Sequence, residues 1–216
     1  MGRPRKADID VATTERILSA AEQTFADAGF AAARLEDIAD AAGLRRPSLL
    51  YHYPSKDALY AAAVARSFER LREVLGGAIA GEGTFEERLD RLSGTYVRFL
   101  VENAGIARLV VRELMNPSTT GRPLFEEELA ATLDLAESFL RFAGKDALRP
   151  GLDVRAAILQ VEGGAILYAI AGDLRPALWR EPKSAPPSRH AATVQRLARD
   201  LVLAPRKSSS KKKELS

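Results

Sequence analysis

Glycine and proline cut the first sixty residues of this chain into helical pieces of unequal length, and that punctuation constrains the fold more than any other feature. A helix-period pattern begins near Thr13. Ile17, Ala21, Phe25 and Ala28 recur three and four residues apart, and Gly29 stops the run. Leu35, Ile38 and Ala42 line one face of a short second helix that ends at Gly43. A third, over about residues 45–53, carries Pro47 in its first turn, where a missing N–H does no harm, and Pro54 closes it. Ser55 is placed to cap a fourth, much longer helix running to about residue 79. Short second and third helices joined by a tight glycine-containing turn describe a helix-turn-helix over about residues 34–53. On a 100° wheel Leu49 and Tyr53 of the third helix face inward, four residues apart. Pro47, Ser48 and Tyr51 point the other way, Leu50 lies on the flank, and Arg45 and Arg46 occupy the first turn.

The remainder also reads as helix. Gly76, Gly77, Gly81 and Gly83 loosen the end of the fourth helix, and residues 84–87 (TFEE) form a capping-box pattern opening a fifth. A sixth covers about residues 106–115, a seventh about 123–142. Asp153 is placed to cap an eighth running to about residue 171. Residues 179–187 read as a proline-rich connector, and a ninth helix covers about 189–203. No alternation of strand period survives. The expected architecture is all-α, about nine helices. A helix-turn-helix domain spans residues 11–71, and a larger helical domain spans 72–204. A basic arm (1–10) precedes them, and a basic tail (205–216), read as disordered, follows.

Composition narrows the function classes. There are no cysteines, so disulfides, thiolate metal sites and cysteine nucleophiles are excluded. His52 has only His190 as a fellow histidine, so no metal site is expected, and no cofactor. With two histidines and no glycine-rich phosphate loop after a strand, no catalytic grouping stands out; an enzyme is not expected. The longest purely apolar run, residues 163–172 (GGAILYAIAG), falls short of the ~20 residues that span a bilayer, and the N-terminus lacks a secretory pattern. No membrane association and a cytoplasmic location are expected. The net charge of +3 is unevenly placed. Residues 205–216 hold five basic residues against one acid, which leaves the body at −1. Global charge therefore argues little for nucleic acid; the local distribution carries the case.

That distribution suits a DNA duplex. Arg45 and Arg46 can present bidentate donors to guanine O6 and N7. Ser48, Tyr51, His52 and Lys56 can donate to phosphates, which fix register without reading sequence. Lys56 also opens the fourth helix, whose free N–H groups attract phosphate. Arg3, Arg5 and Lys6, in the stretch GRPRK, either reach an adjacent minor groove or belong to a solvated terminus.

Residues 13–60 resemble the N-terminal domain of the tetracycline-repressor (TetR) family of bacterial transcriptional regulators. The stretches TTERILSAAEQTFADAGF, LEDIADAAGL and RRPSLLYHYPSKDAL carry the resemblance. The family implies DNA-contacting positions at Pro47, Ser48, Tyr51, His52 and Lys56. Two departures matter. Leu50 stands where the family usually has tyrosine; it can touch a thymine methyl but cannot hydrogen-bond. Ala33 and Arg34 stand where the family has Thr or Ser at the start of helix two, which leaves Arg34 to serve a phosphate through charge.

The resemblance further implies a homodimer through helices eight and nine, binding a pseudo-palindromic double-stranded operator and released by a small-molecule effector in the C-terminal domain. Helix eight (AAILQVEGGAILYAI) is apolar almost all round and is expected to be buried. Ala157, Gly163, Gly164 and Ala169 permit close helix approach, and helix nine offers Ala191, Val194, Leu197, Leu201 and Val202. Packing within one subunit explains these residues nearly as well. Candidate effector-lining residues are Tyr96, Phe99, Arg108, Arg112, Phe139 and Gln160, each with an ordinary core or surface role as the competing reading. A helical protein–protein adaptor that lacks specific DNA binding is the alternative function; the basic residues Arg45, Arg46 and Lys56 argue against it.

Overall fold

The computed structural model describes residues 6–115 and 121–205. Among the described residues the chain folds into ten α-helices, one more than the sequence suggests, and the only β-type pairing is a single bridge between Leu148 and Leu203. The first three are α1 (Lys6–Ala32), α2 (Leu35–Ala41) and α3 (Arg46–His52). Next come α4 (Lys56–Ala80), α5 (Phe85–Glu102), α6 (Ala104–Met115) and α7 (Arg122–Ala143). The last are α8 (Val154–Ile170), α9 (Arg175–Trp179) and α10 (Pro187–Val202).

Local chemistry sets most of these boundaries. The Ser55 hydroxyl accepts from the Ala58 N–H at 3.1 Å and starts α4. Thr84 and Glu87 form the reciprocal box that starts α5, at 3.2 and 2.8 Å. The Asp153 carboxylate accepts from the Ala156 N–H at 3.0 Å and starts α8. Gly29 does break helical geometry, at φ 78°, but one more turn follows it to Ala32.

Three expectations are corrected. First, α1 begins at Lys6, so residues 6–10 of the supposed arm are helical; Arg3, Arg5 and the tail from residue 206 lie outside the described residues. Second, α9 lies mostly between the expected end of helix eight at about residue 171 and the connector read over 179–187, which it meets only at Trp179. It forms because Pro176 sits in the first turn, where proline is tolerated, and because Trp179 packs edge-on against Tyr168 and His190. Third, α8 is not buried all round: Leu159, Gln160, Gly163, Gly164 and Leu167 are exposed.

The division at residues 71 and 72 falls inside α4, which runs unbroken from one region into the other. One contiguous hydrophobic cluster extends from Ile17 in α1 to Val202 in α10. α4 packs on α1, α5 and α7, and α6 packs on α1. α8 packs on α5, α7 and α10. The short helices α2 and α3 are carried at one end of this body. Among the described residues no single helix is long and apolar enough to cross a membrane.

Candidate nucleic-acid interface and inner cavity

α3 is aimed by its turn and by one side chain. Gly43, at φ 69°, ends α2; its N–H donates to the Asp40 carbonyl at 3.0 Å and the Leu44 N–H to the Ala39 carbonyl at 2.8 Å. Leu49 is fully buried and pins α3 to the core. Tyr53, half-buried, closes the helix through its N–H on the Leu49 carbonyl at 2.9 Å.

The opposite face is presented outward. Arg45, Arg46, Pro47 and Ser48 are all exposed, and Tyr51 is 85% exposed, an unusual state for an aromatic side chain. Leu50 is half-buried. The Arg46 Nε lies 3.4 Å from the Glu36 carboxylate, with both side chains about half exposed. Such a surface pair is worth little and yields readily to a stronger partner. Arg34 is exposed at the start of α2 and makes no capping bond with its side chain.

Two expected phosphate contacts are placed differently. Lys56 donates from its Nζ to the Ala31 and Ala33 carbonyls at 3.1 and 2.8 Å and lies 4.8 Å from the centre of the Phe30 ring. Two of its three donors therefore staple the end of α1 to the start of α4. The His52 ring is half-buried, with Nδ1 3.7 Å from the Asp10 carboxylate, so it meets α1 as much as solvent.

The six effector-lining candidates scatter. Tyr96 alone lines the inner cavity, a space of about 60 Å³ among α4, α5, α7, α8 and α10. Phe99 and Arg108 line a wide polar cleft between α1 and the α5–α6 corner. Arg108 pairs there with Asp27 at 3.1 Å. Arg112 is exposed; it donates to the Asp27 carbonyl at 2.9 Å and covers Gly29, where a Cβ would come within 2.8 Å of its side chain. Phe139 is buried against Phe85, with the Arg88 guanidinium over its ring, and belongs to the core. Gln160 lies on the exposed face of α8, turned from the cavity.

Sequence reasoning missed Glu162. It is the one charged side chain among the thirteen residues that line the inner cavity. The residue is half-buried, but its carboxyl lies deep enough that burial raises its pKa to about 7, with Arg155 opposing weakly. Burial first, and the nearby Glu162 charge second, hold the Tyr96 phenol well above its ordinary range. A signal was present: Glu162 is the only acid in the most apolar stretch of the chain.

Between surface and cavity runs a set of cross-links. The Tyr60 hydroxyl of α4 donates to the buried Glu113 carboxylate of α6 at 2.7 Å. Arg66 holds Glu15 and Glu22 of α1. Together with Arg108 and Arg112, these tie α1 to both α4 and α6.

Comparison with known proteins adds to this geometry. Residues 17–63 match a family described as bacterial regulatory proteins, tetR family. The HTH-type transcriptional regulator RutR of Escherichia coli (strain K12) is 36% identical over 128 residues, 56% of this chain and 55% of RutR. The HTH-type transcriptional activator FasR of Mycolicibacterium smegmatis is 30% identical over 95 residues, 44% of this chain and 43% of FasR. The chain thus spans about half the length of these curated relatives. Among solved structures, the fatty acid degradation regulator FadR from Bacillus halodurans superposes with a TM-score of 0.70 at 19% identity, over 85% of this chain and 96% of that one. FadR from Bacillus subtilis, solved in complex with stearoyl-CoA, does so at 0.67 and 18%, over 85% of this chain and 96% of that one. At such identities the likeness is one of fold.

Proposed function

We propose that this chain, whose residues 17–63 match the tetR family of bacterial regulatory proteins, is a repressor of that family that binds a pseudo-palindromic operator as a homodimer and lets go when a small molecule fills the inner cavity. One observation carries the reading: the seven-residue α3, pinned by fully buried Leu49, offers Arg46, Ser48 and a bare Tyr51 to solvent, with Arg45 exposed at its N-cap. A helix so short, with its polar face outward, gains nothing from that arrangement in isolation; a major groove completes it. Arg45 and Arg46 read bases, while Ser48, Tyr51 and Arg34 position the phosphates. Lys56, with its Nζ held by the Ala31 and Ala33 carbonyls, serves as a staple rather than as a phosphate contact.

Two such helices ~34–36 Å apart read successive major grooves, which calls for a dimer. The exposed stripe of α8 supplies the surface. Leu159 and Leu167 are about half exposed, Leu197 of α10 adds to them, and a Cβ on Gly163 or Gly164 would meet nothing. Apolar area of this kind is covered in the assembled protein. Leu75 of α4 lines the cavity and Lys56 holds the head, ~28 Å apart at 1.5 Å per residue, so a shift of α4 is felt at both ends. α6 shares the task through Arg112 and Glu113. The effector moves the heads only by its preference for one spacing, typically ~1–3 kcal/mol.

Selection of duplexes from a random pool, followed by fluorescence anisotropy and sedimentation, tests this. A two-fold symmetric motif bound by two chains is expected. Arg46→Ala relaxes preference at one base step in each half-site, by ~1–3 kcal/mol. Binding no tighter to any selected duplex than to random sequence would return the chain to the adaptor reading.

A further inference from the structure

Resting on the effector reading above, we infer that the inner cavity takes a compact apolar molecule bearing a protonated nitrogen, with the Glu162 carboxylate as its counter-charge and the Tyr96 hydroxyl beside it. The walls decide the class. Of the thirteen lining residues, ten are alanine, valine, leucine or isoleucine. The Ser93 hydroxyl already donates to the Leu89 carbonyl at 2.9 Å. That leaves two polar groups, Tyr96 from α5 and Glu162 from α8. Among the described residues neither has a protein hydrogen-bond partner.

Among the described residues no lysine, arginine or histidine lines the space. A carboxylate or phosphate drawn into it would face Glu162 with nothing to neutralise either charge, which low dielectric forbids. Cations have the opposite fate: the half-buried Glu162 carboxylate, set into the apolar wall, is the one group lining this space that gains from a positive partner. Arg155, the cation that acts on Glu162 from its own helix, is already held by Asp134 and, at 2.8 Å, by Glu137. From α7 and α10 the cavity receives only Ala136, Leu140, Ala198 and Val202, so nothing titratable faces Glu162 from those helices. α6, which also packs on α8, contributes no lining residue.

Size points the same way. The cavity of about 60 Å³ exceeds the ~10–15 Å³ that one water requires but falls far short of a long acyl chain. Because burial holds the Glu162 carboxyl near 7, raising the pH through neutrality creates the charge that a cation needs. Affinity for an ammonium ligand therefore rises with pH across that range, whereas affinity for an anion falls.

Three molecules that share an ethyl group and differ in their head test the inference by titration calorimetry on the full chain: ethylamine, ethanol and propanoate. Ethylamine, charged throughout, is expected to bind tightest. Its affinity should rise by about tenfold between pH 6 and pH 8, the ratio of ionised Glu162 for a midpoint near 7. Glu162→Gln should remove both the preference for the amine and its pH dependence while ethanol still binds, which shows that the cavity survives. Tightest binding of the carboxylate, no binding of any of the three, or an amine preference unchanged in Glu162→Gln would overturn the assignment. DNA release, followed separately by anisotropy, tells the two readings apart. Amine binding that leaves operator affinity unchanged upholds the cavity's chemistry and defeats the effector role. Release by the alcohol or the carboxylate, with the amine inert, upholds the effector role and defeats the chemistry.

Discussion

The outward face of α3 and the inner cavity are built on opposite plans. α3 is a single short helix whose aim depends on one buried side chain and one turn, and every group it offers is already in solvent. The cavity is assembled from five helices spread between Leu75 and Val202, and what it offers is recessed, with Tyr96 buried and Glu162 half-buried. A recognition surface meets a partner of repeating geometry, so a rigid local motif suffices. A ligand site must exclude water, so it needs walls from distant parts of the chain. The difference teaches where each is vulnerable: the surface through its anchor, the cavity through its charge.

The largest effect belongs to the anchor. Leu49→Ala should cost ~2–5 kcal/mol of stability, the usual range for emptying a buried leucine site. Operator affinity should fall even where thermal unfolding shows the chain still folded. Unchanged affinity would mean that Leu49 does not aim α3, and the contrast between the two regions would dissolve.

The cavity's charge comes next. The Glu162 carboxyl has its pKa raised by folding, from 4.5 to about 7. Folding thus favours its protonated form; that advantage is complete below about pH 4.5 and is lost as the pH climbs through 7. The full span amounts to roughly 3 kcal/mol. Glu162→Gln, which cannot ionise, should therefore be the more stable protein at pH 8 and lose that lead at pH 4. Urea midpoints at the two pH values measure it; parallel curves for the two proteins would place the carboxyl in water.

Lys56 sharpens the boundary between the regions. Lys56→Met keeps the stem over Phe30 but gives up two bonds from a charged donor to carbonyls, a loss of ~1.5–3 kcal/mol in stability. The salt dependence of operator binding should hardly change. A slope reduced by about one would restore the phosphate contact that the sequence suggests.

Gln160 is the smallest case. On the exposed face of α8, Gln160→Ala should alter stability by less than ~0.5 kcal/mol and leave cavity binding as it was. Lost ligand affinity would turn the residue back toward the cavity.

Legibility followed the same divide. The turn at Gly43, the inward pair Leu49 and Tyr53, and the caps at Ser55, Thr84 and Asp153 were all readable, since each rests on contacts a few residues apart. α9 escaped notice because its support comes from rings at 168, 179 and 190, which only the folded chain brings together. Arg108 and Arg112 looked like cavity residues from their place on a C-terminal helix; they instead grip Asp27, some eighty residues earlier.

By itself the sequence settled the helical class, the helix-turn-helix and which side chains of α3 meet solvent, since hydrogen-bonding and periodicity act over one or two turns. Tertiary structure alone decided that head and body share one core across α4, that Lys56 serves as a staple, and that Glu162 stands by itself in an apolar chamber. Those outcomes depend on which distant faces close on one another, and burial, unlike helix propensity, has no meaning until they do.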